Sequence, residues 1–413
     1  MEATAELKAG QSRNLALATW TFAINFWAWN LIGPLSATYS KDLDLSASQA
    51  AMLVAIPVLV GSLGRIPVGA LTDRYGGRIM FAVVSFLTIV PVVFVGFADS
   101  YPALLVGGFV LGVGGTAFAV GVPFCNAWYD KPRRGFATGV FGAGMGGTAL
   151  SAFFTPRLAE SIGRAQTHLV IAALLAATGV LMLVASRNSP LWKASKEKVL
   201  PRLMEVGRMP ITWKTAFLYA VAFGGFVAFS TYLPTLLKNE YGYDQVAAGV
   251  RTAGFSLAAV IGRPLGGTLA DRFGARSVLM ASFASTALLA LAIGMEPSPE
   301  LPAGLTFTLM ALALGLGTGG VFALIGKVVE PERVGSVTGL VGAAGGLGGY
   351  FPPLVMGAVY GATGSYFIGL LLLSATALAA LLYTATAFRE RRPAGRHEAP
   401  RPAGGKRSER TRS

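Results

Sequence analysis

Apolar stretches of about 20 residues recur along nearly the whole of this chain, and they constrain its fold more than any other feature. A helix needs about 20 mainly apolar residues to cross the hydrocarbon core of a bilayer. The 413-residue sequence contains twelve such stretches, most of them separated by short connections. The chain is therefore expected to be an all-α membrane protein. The predicted spans are 19–38, 48–70, 79–97, 101–127, 136–156, 168–186, 214–237, 246–270, 277–295, 303–326, 336–360 and 365–388.

The composition is typical of a membrane protein and argues against a nucleic-acid-binding one. Hydrophobic residues make up 53% of the chain and charged residues only 13%, whereas soluble domains carry about 25% charged residues. The formal net charge is nevertheless +14. A nucleic-acid-binding surface needs its basic residues clustered on a hydrated face, but here they flank apolar stretches. We expect the lipid bilayer, and no nucleic acid, among the partners of this chain.

Lysine and arginine are distributed very unevenly between the two sides of the predicted membrane. Of 34 such residues, 27 lie in the N-terminus, the even-numbered loops, the central polar segment and the tail. The opposite loops hold five, and two lie inside spans. An excess of basic residues marks the cytoplasmic side. The pattern predicts a multi-pass protein of the bacterial plasma membrane with both termini in the cytoplasm and a disordered basic tail at 389–413.

Side chains suited to enzymatic or metal chemistry are scarce. The chain has one cysteine, Cys125, and two histidines, His168 and His397. A single cysteine excludes an intrachain disulfide and a cysteine-based metal site. No pairing of a nucleophile with a base stands out in the sequence either. We therefore expect neither enzymatic activity nor a bound cofactor.

The two halves of the sequence repeat each other. Residues 69–78 (Gly-Ala-Leu-Thr-Asp-Arg-Tyr-Gly-Gly-Arg) follow span 2, and residues 267–276 (Gly-Thr-Leu-Ala-Asp-Arg-Phe-Gly-Ala-Arg) follow span 8, at an offset of 198. A Thr-Gly-x-x-Gly-Ala motif in span 5 recurs in span 11 at an offset of 200. Many secondary transporters have duplicated halves with the site at their interface. We predict six-helix bundles at 1–186 and 214–388, joined by a cytoplasmic linker at 187–213.

The duplicated loop resembles the signature of the major facilitator superfamily. Its pattern, Gly-x-x-x-Asp-Arg-x-Gly-x-Arg, occurs after both span 2 and span 8, and the resemblance covers almost the whole chain. The resemblance implies twelve transmembrane helices in two pseudo-symmetric six-helix bundles. It also implies a transporter that works by alternating access, for which a monomer suffices. In that family the charged residues of the two loops act as cytoplasmic latches, here Asp73, Arg74, Arg78, Asp271, Arg272 and Arg276.

Two arginines lie inside predicted spans, Arg65 in span 2 and Arg263 in span 8, at equivalent positions of the repeat. A charge at the centre of a membrane helix costs about 3 kcal/mol or more, so such residues point to function. Symmetry predicts that they converge where the halves meet. All 20 acidic residues lie in loops or tails, so no carboxylate is expected to neutralise the pair. Because a guanidinium matches a planar oxyanion through paired hydrogen bonds, we expect a small anion as substrate.

The absence of acidic residues from the spans also bears on energy coupling. Proton-driven transporters usually keep an Asp, Glu or His within the membrane. This chain offers only His168, near the external end of a helix. Exchange of one anion for another needs no such group and keeps the arginines occupied in both directions, which favours antiport. Proton symport stays open, because water or the substrate can carry the proton.

Spans 5 and 11 contain glycine runs at 139–147 and 339–349. Small residues allow close packing of helices. The pair of runs also resembles the nitrate signatures of the nitrate/nitrite porter (NarK-type) family. In that family two arginines hold the anion, a tyrosine hydroxyl adds a hydrogen bond and phenylalanines sandwich the planar ion. The resemblance implies the following binding residues: Arg65, Arg263, Tyr219, Phe118, Phe223, Phe26, Met145, Gly144 and Gly345.

One position departs from the pattern of that family. The glycine run of span 5 usually reads Gly-x-Gly-Asn-x-Gly, and its Asn hydrogen-bonds the anion. Here Met145 takes the place of that Asn. The loss of a polar contact leaves the preference between nitrate and nitrite open.

We therefore expect a nitrate/nitrite exchanger of the plasma membrane, with a role in nitrate assimilation. Proton-coupled nitrate uptake through the same site and transport of another small anion, such as a monocarboxylate or oxalate, remain as alternatives. A sensor would carry a folded output domain, for which the tail after residue 388 is too short and polar. A channel would not need duplicated halves around two arginines.

Overall fold

The computed structural model describes residues 2–130, 133–194, 199–329 and 333–388, and these are helical apart from short turns. The predicted disordered tail, 389–413, lies outside the described residues. The α-helices are α1 Glu2–Trp29, α2 Ile32–Asp42, α3 Ala47–Leu63, α4 Arg65–Tyr75, α5 Gly77–Phe97, α6 Tyr101–Leu111, α7 Ala117–Trp128, α8 Arg134–Gly142, α9 Gly147–Ile162, α10 Arg164–Ala185, α11 Val199–Gly207, α12 Pro210–Tyr241, α13 Gln245–Phe273, α14 Ala275–Gly294, α15 Leu301–Val328, α16 Val334–Gly348, α17 Phe351–Thr363 and α18 Phe367–Ala387.

Several spans consist of two helices that follow each other with a break. The pairs α1–α2, α3–α4, α6–α7, α8–α9 and α16–α17 form spans 1, 2, 4, 5 and 11, and 3₁₀ turns at Gly112–Thr116 and Ala143–Gly146 complete spans 4 and 5. Each remaining span is a single helix, and α11 lies in the linker. Span 7 begins at Pro210, before its predicted start at 214, because proline is well suited to the first position of a helix.

Ten helical segments of the described chain are long and apolar enough to cross a membrane. Spans 5 and 11 are not among these ten. They are the two spans with glycine runs, and glycine adds little to hydropathy and interrupts helices. Together with the ten, they complete the twelve spans of the predicted fold. All-α architecture with twelve transmembrane helices is thereby confirmed.

The exterior of the bundle is apolar, as a protein in lipid requires. Leu87, Val90 and Val184 are exposed to 56%, 68% and 79% on the outward faces of α5 and α10. In the most apolar stretch of span 7, 89% of residues are buried, against 33% in span 12. Span 7 therefore lies at the centre of the bundle and span 12 at its periphery.

The loops of the duplicated motif make tight turns that only glycine adopts easily. Gly76 and Gly274 have φ values of +82° and +88°, a region that residues with a Cβ atom avoid. Each glycine ends one helix and starts the next, so the chain reverses direction within one residue. The turns, the N-terminus and the linker lie on one side of the bundle, here called the linker face. The loops at 42–47, 97–101, 162–164, 241–245, 294–301 and 363–367 lie on the other side, here called the opposite face.

The two halves contact each other closely on the opposite face. There α9 packs against α13, α3 against α17, and α2 against α12. A Cβ atom on Gly249 would overlap the carbonyl oxygen of Ala152, and one on Gly357 would overlap the side chain of Ala51. Small residues thus let the backbones of the two halves approach closely on this face.

Candidate functional site

One buried arginine lies at a break between two helices, and the other lies inside a continuous helix next to a proline. Arg65 is the first residue of α4, directly after Gly64 at the junction with α3. Arg263 lies within α13 and is followed by Pro264, which cannot donate a backbone hydrogen bond. Arg65 is 3% exposed and Arg263 is 5% exposed. Both side chains are thus removed from solvent, although each carries a full charge.

The ring of Phe118 lies close to both guanidinium groups. The Cζ atom of Arg65 is 5.1 Å from the centroid of this ring, and that of Arg263 is 5.6 Å away. Phe118 belongs to α7 in span 4, which packs against α4. The face of an aromatic ring carries negative electrostatic potential, so it stabilises a nearby cation. One side chain therefore brings together the arginines of the two halves.

Two further rings enclose the guanidinium groups from the second half of the chain. The ring centroid of Phe223 lies 5.4 Å from the Cζ atom of Arg65, and that of Phe322 lies 5.2 Å from the Cζ atom of Arg263. Tyr219 stacks on Phe223 with centroids 5.0 Å apart and packs edge-on against Phe322 at 4.9 Å. Aromatic side chains thus form an apolar cage, in which the electrostatic interactions of an ion are stronger than in water.

Each arginine reaches across to the other half. The Nη1 atom of Arg65 donates a 2.7 Å hydrogen bond to the carbonyl oxygen of Gly342. The Nη1 atom of Arg263 lies 2.6 Å from the Sδ atom of Met145. The Nε and Nη2 atoms of Arg65 are buried without a hydrogen-bond partner among the described residues, and so is the hydroxyl oxygen of Tyr219. Buried donors without an acceptor are costly, so these atoms are available to a ligand with acceptor oxygens.

The charge of the site is unbalanced. No Asp or Glu among the described residues is buried, whereas two arginines are. Two buried positive charges without a carboxylate repel each other, and a bound anion removes that repulsion. The described part of the chain also lacks any group of three His, Cys, Asp or Glu side chains able to hold a metal ion. The arrangement is thus suited to binding an oxyanion through planar donors.

Three other predicted binding residues pack against aromatic side chains. Phe26 belongs to the aromatic packing of span 1, with its ring centroid 4.3 Å from that of Phe22 and 4.7 Å from that of Trp29. Gly144 faces Phe22, since a Cβ atom there would overlap that ring. Gly345 lies against the ring of Tyr219 in the same way. Gly345 therefore supports a residue of the cage, while Phe26 and Gly144 support the helices around it.

The sequence prediction missed three residues that the structure places at the arginines. Phe322 lies against Arg263, Gly342 accepts the hydrogen bond of Arg65, and a Cβ atom on Gly142 would lie 3.3 Å from the Nε atom of Arg263. Gly142 and Gly342 occupy the same place in the repeated Thr-Gly-x-x-Gly-Ala motif. That equivalence was a usable signal, whereas nothing in the local sequence distinguished Phe322.

Five of the six predicted latch residues make contacts within their own halves. Arg78 donates to the carbonyl oxygen of Leu183 at the end of α10, and Arg276 donates to that of Ala385 at the end of α18, at 2.9 Å. Each arginine thus caps the C-terminal end of the sixth span of its half, where the helix dipole favours a cation. The Oδ1 atom of Asp271 lies 3.7 Å from the Nζ atom of Lys327, which also belongs to the second half. Arg74 and Arg272 contact the rings of the tyrosine and phenylalanine that follow them.

Twelve spans in two similar halves, with a charged site where the halves meet, define a secondary transporter. The chain belongs to the major facilitator superfamily, whose family model matches residues 18–251 and 216–412. This family consists of transporters, which confirms the expectation that the chain is not an enzyme.

Individual relatives agree with this assignment. The chain is 56% identical over 385 residues to a probable nitrate/nitrite transporter, NarK2, of Mycobacterium tuberculosis, covering 92% of this chain and 98% of the relative. It is 38% identical to the nitrite extrusion protein of Bacillus subtilis, covering 90% and 93%. The crystal structure of the human organic anion transporter MFSD10 superposes with a TM-score of 0.71 at 14% identity, covering 91% of this chain and 99% of that one. The last comparison concerns the fold alone.

Proposed function

We propose that this protein exchanges nitrate and nitrite across the plasma membrane by alternating access, with the anion held between Arg65 and Arg263. One observation carries the proposal. Two buried guanidinium groups approach the same ring, Phe118, and no described carboxylate is buried with them. The names of the relatives support nitrate and nitrite as substrates.

The side chains around the arginines have distinct proposed roles. The guanidinium groups donate hydrogen bonds to the anion oxygens in pairs. The hydroxyl of Tyr219 adds a donor, and Phe118 and Phe322 cover the faces of the planar ion. Met145 occupies the position beside Arg263 where a polar residue would add a further hydrogen bond. The substrate is thus recognised mainly by charge and planarity, which nitrate and nitrite share.

Exchange follows from the same electrostatics. When the site is empty, Arg65 donates to a carbonyl oxygen and Arg263 lies against a thioether, and no buried carboxylate of the described residues faces them. Neither carries a full negative charge, so the repulsion between the arginines persists. A returning anion removes that repulsion during the conformational change, and this favours antiport over return of the empty carrier.

The orientation of the protein is also part of the proposal. The linker face carries most of the lysines and arginines, so it faces the cytoplasm. On this view both termini are cytoplasmic, and the motif residues Asp73 and Asp271 with their neighbouring arginines act as latches on that side. The contacts of Arg78 and Arg276 with the sixth spans hold each latch loop in place within its half.

Counterflow in proteoliposomes tests the exchange. Vesicles loaded with nitrite should release it when nitrate is added outside, without an imposed pH gradient. Empty vesicles and vesicles loaded with chloride serve as controls. Uptake that needs a proton gradient and no internal anion would favour the alternative of proton symport. Release driven by oxalate or a monocarboxylate, and not by nitrate, would favour the alternative substrates.

A further inference from the structure

A thioether lies directly against the guanidinium of Arg263. Met145 belongs to the 3₁₀ turn at Ala143–Gly146 of span 5, and its side chain is 1% exposed. Its Sδ atom lies 2.6 Å from Nη1 of Arg263, in the other half of the chain. A thioether sulfur is a weak acceptor, so a substrate oxygen displaces it from the guanidinium at little cost. The contact therefore leaves Arg263 available to an anion.

The same sulfur atom brings an oxidisable group into the arginine site. Oxidants that transfer one oxygen atom convert methionine to methionine sulfoxide, which is polar. The chain has 11 methionines, and some lie far from any such site: Met204 and Met295 are exposed to 51% and 72%. Oxidation of these two changes the surface of the protein, whereas oxidation of Met145 changes the group that Arg263 contacts.

A small oxidant can reach this sulfur by the route that the substrate takes. Exchange requires that the anion reach the guanidinium of Arg263 from both sides of the membrane. The Sδ atom of Met145 is 2.6 Å from that guanidinium, and hydrogen peroxide is no larger than nitrate. Burial in the present conformation therefore slows the oxidation without preventing it.

The neighbouring arginine favours the reaction of the sulfur with a peroxide. A lone pair of Sδ attacks one oxygen of hydrogen peroxide, so that the S–O bond forms, the O–O bond breaks and the second oxygen leaves as hydroxide. The hydroxide takes the proton from the oxygen bound to sulfur, which gives the sulfoxide and water. Sulfur loses two electrons, and the peroxide gains them. Because negative charge develops on the leaving oxygen, a guanidinium beside the sulfur stabilises the transition state.

A sulfoxide at position 145 would change what Arg263 can bind. The sulfoxide oxygen is a strong acceptor with no proton to donate, and it would be attached to the atom that now contacts Nη1. It would accept the hydrogen bond of the guanidinium in place of an anion oxygen, and it would repel the oxygens of nitrate. The amide of an asparagine differs, because its NH2 group can donate to the anion.

We propose that Met145 is an oxidation site through which small peroxides switch off anion exchange. The inference rests on the proposed exchange at the site between Arg65 and Arg263, and it adds a peroxide as a second reactant of that site. The reduced sulfur leaves Arg263 open to nitrate, and the sulfoxide occupies the same guanidinium. A transporter with a hydrocarbon or amide side chain at this position would lack the response.

Peroxide treatment of the purified protein tests the oxidation site. All variants carry Cys125→Ala, which removes the one cysteine. Protein in detergent is treated with hydrogen peroxide, the peroxide is destroyed with catalase, and the protein is reconstituted for counterflow of nitrite and nitrate. Peptide mass spectrometry measures the sulfoxide at position 145. Protein oxidised there should exchange about 10- to 100-fold more slowly, because Arg263 loses a hydrogen bond to the anion.

Two leucine variants are matched controls, each compared with its own untreated sample. Met145→Leu should keep its untreated rate after peroxide, whereas Met204→Leu, which removes an exposed methionine, should lose exchange as the parent does. If Met145→Leu is inactive before treatment, the parent protein gives the test, because exchange should decline with the time course of sulfoxide formation at position 145. Nitrate should also raise the melting temperature of the untreated parent more than that of the oxidised protein.

Three results would overturn the oxidation site. They are a Met145 that stays reduced while Met204 is fully oxidised, normal exchange by protein oxidised at Met145, and equal loss of exchange in Met145→Leu. Failure of untreated wild-type vesicles to exchange nitrate for nitrite has a different meaning. It refutes the proposed function, while the melting temperatures with nitrate still test whether oxidation of Met145 weakens anion binding.

Discussion

Arg65 and Gly342 connect the two halves of the transporter through one hydrogen bond, 2.7 Å from Nη1 to the carbonyl oxygen. The arginine stands at the start of α4, and the glycine lies within α16, which holds the second glycine run. A side chain at position 342 would point towards Phe118, since a Cβ atom there would lie 3.4 Å from that ring. The glycine run thus does more than allow helices to pack, because it brings a backbone acceptor to a buried charge.

Replacing either buried arginine with lysine should nearly abolish nitrate uptake. Lysine keeps the charge but lacks the planar fork that donates paired hydrogen bonds. Loss of one hydrogen bond to a charged group costs about 1.5–3 kcal/mol, so kcat/KM should fall about 10- to 100-fold. Initial rates of counterflow measure this effect for Arg65→Lys and Arg263→Lys. Arg187→Lys, at an exposed position of the linker, is the control, and near-normal transport by both buried variants would refute the site.

Removing Phe118 should impair transport more than removing Phe322. Phe118 lies against both guanidinium groups, whereas Phe322 lies against Arg263 alone. A desolvated cation–π contact contributes about 2 kcal/mol, so Phe322→Ala should raise the KM for nitrate about 30-fold, and Phe118→Ala should raise it further. Phe351→Ala, at an exposed position, should leave the KM unchanged. Equal effects of the two site variants would contradict the shared role of Phe118.

Introducing asparagine at position 145 should change the preference between anions. The amide would lie beside Arg263, where Met145 now lies, and would add a donor for an anion oxygen. Nitrate has one more acceptor oxygen than nitrite, so its KM should fall about 10-fold relative to that of nitrite. Competition between the two ions in counterflow gives the ratio. Met145→Leu, which adds no donor, should keep the wild-type ratio, and an unaltered ratio in Met145→Asn would make this position structural.

Alanine should be tolerated at Gly339 and harmful at Gly345, although both lie on α16. A Cβ atom at Gly339 meets nothing within 4 Å, whereas one at Gly345 would overlap the ring of Tyr219. Because interiors are densely packed, Tyr219 and its stacked neighbour Phe223 would have to move. Gly345→Ala should therefore lose most of its exchange activity while remaining folded in detergent, as judged by gel filtration. Normal exchange by Gly345→Ala would show that the stack is not part of the site.

Much of the site could be predicted from the sequence because the chain contains an internal repeat. Arg65 and Arg263 were recognisable as charges inside spans at equivalent positions, and the repeated Thr-Gly-x-x-Gly-Ala motif contained Gly142 and Gly342. Phe322 was not recognisable. An aromatic residue in a membrane helix is equally suited to lipid, to packing and to a site, and only its neighbours from other spans distinguish these environments.

The sequence by itself determined that this chain crosses the membrane twelve times in two similar halves. Bilayer thickness sets the length of each apolar stretch, and the distribution of charge predicts which side each loop takes. These are local properties, so they can be predicted residue by residue. The family, confirmed by comparison with known proteins, follows from the same local patterns.

Only the tertiary structure decided which side chains meet across the two halves. The contact of Arg263 with Met145, that of Arg65 with Gly342, and the pairing of Ser36 with Thr235 each join residues far apart in the chain. Such pairs depend on how helices rotate and tilt against one another, and a pattern along one helix does not fix those angles. The sequence thus specified the charges of the site, and the packing of the helices specified the groups that each charge contacts.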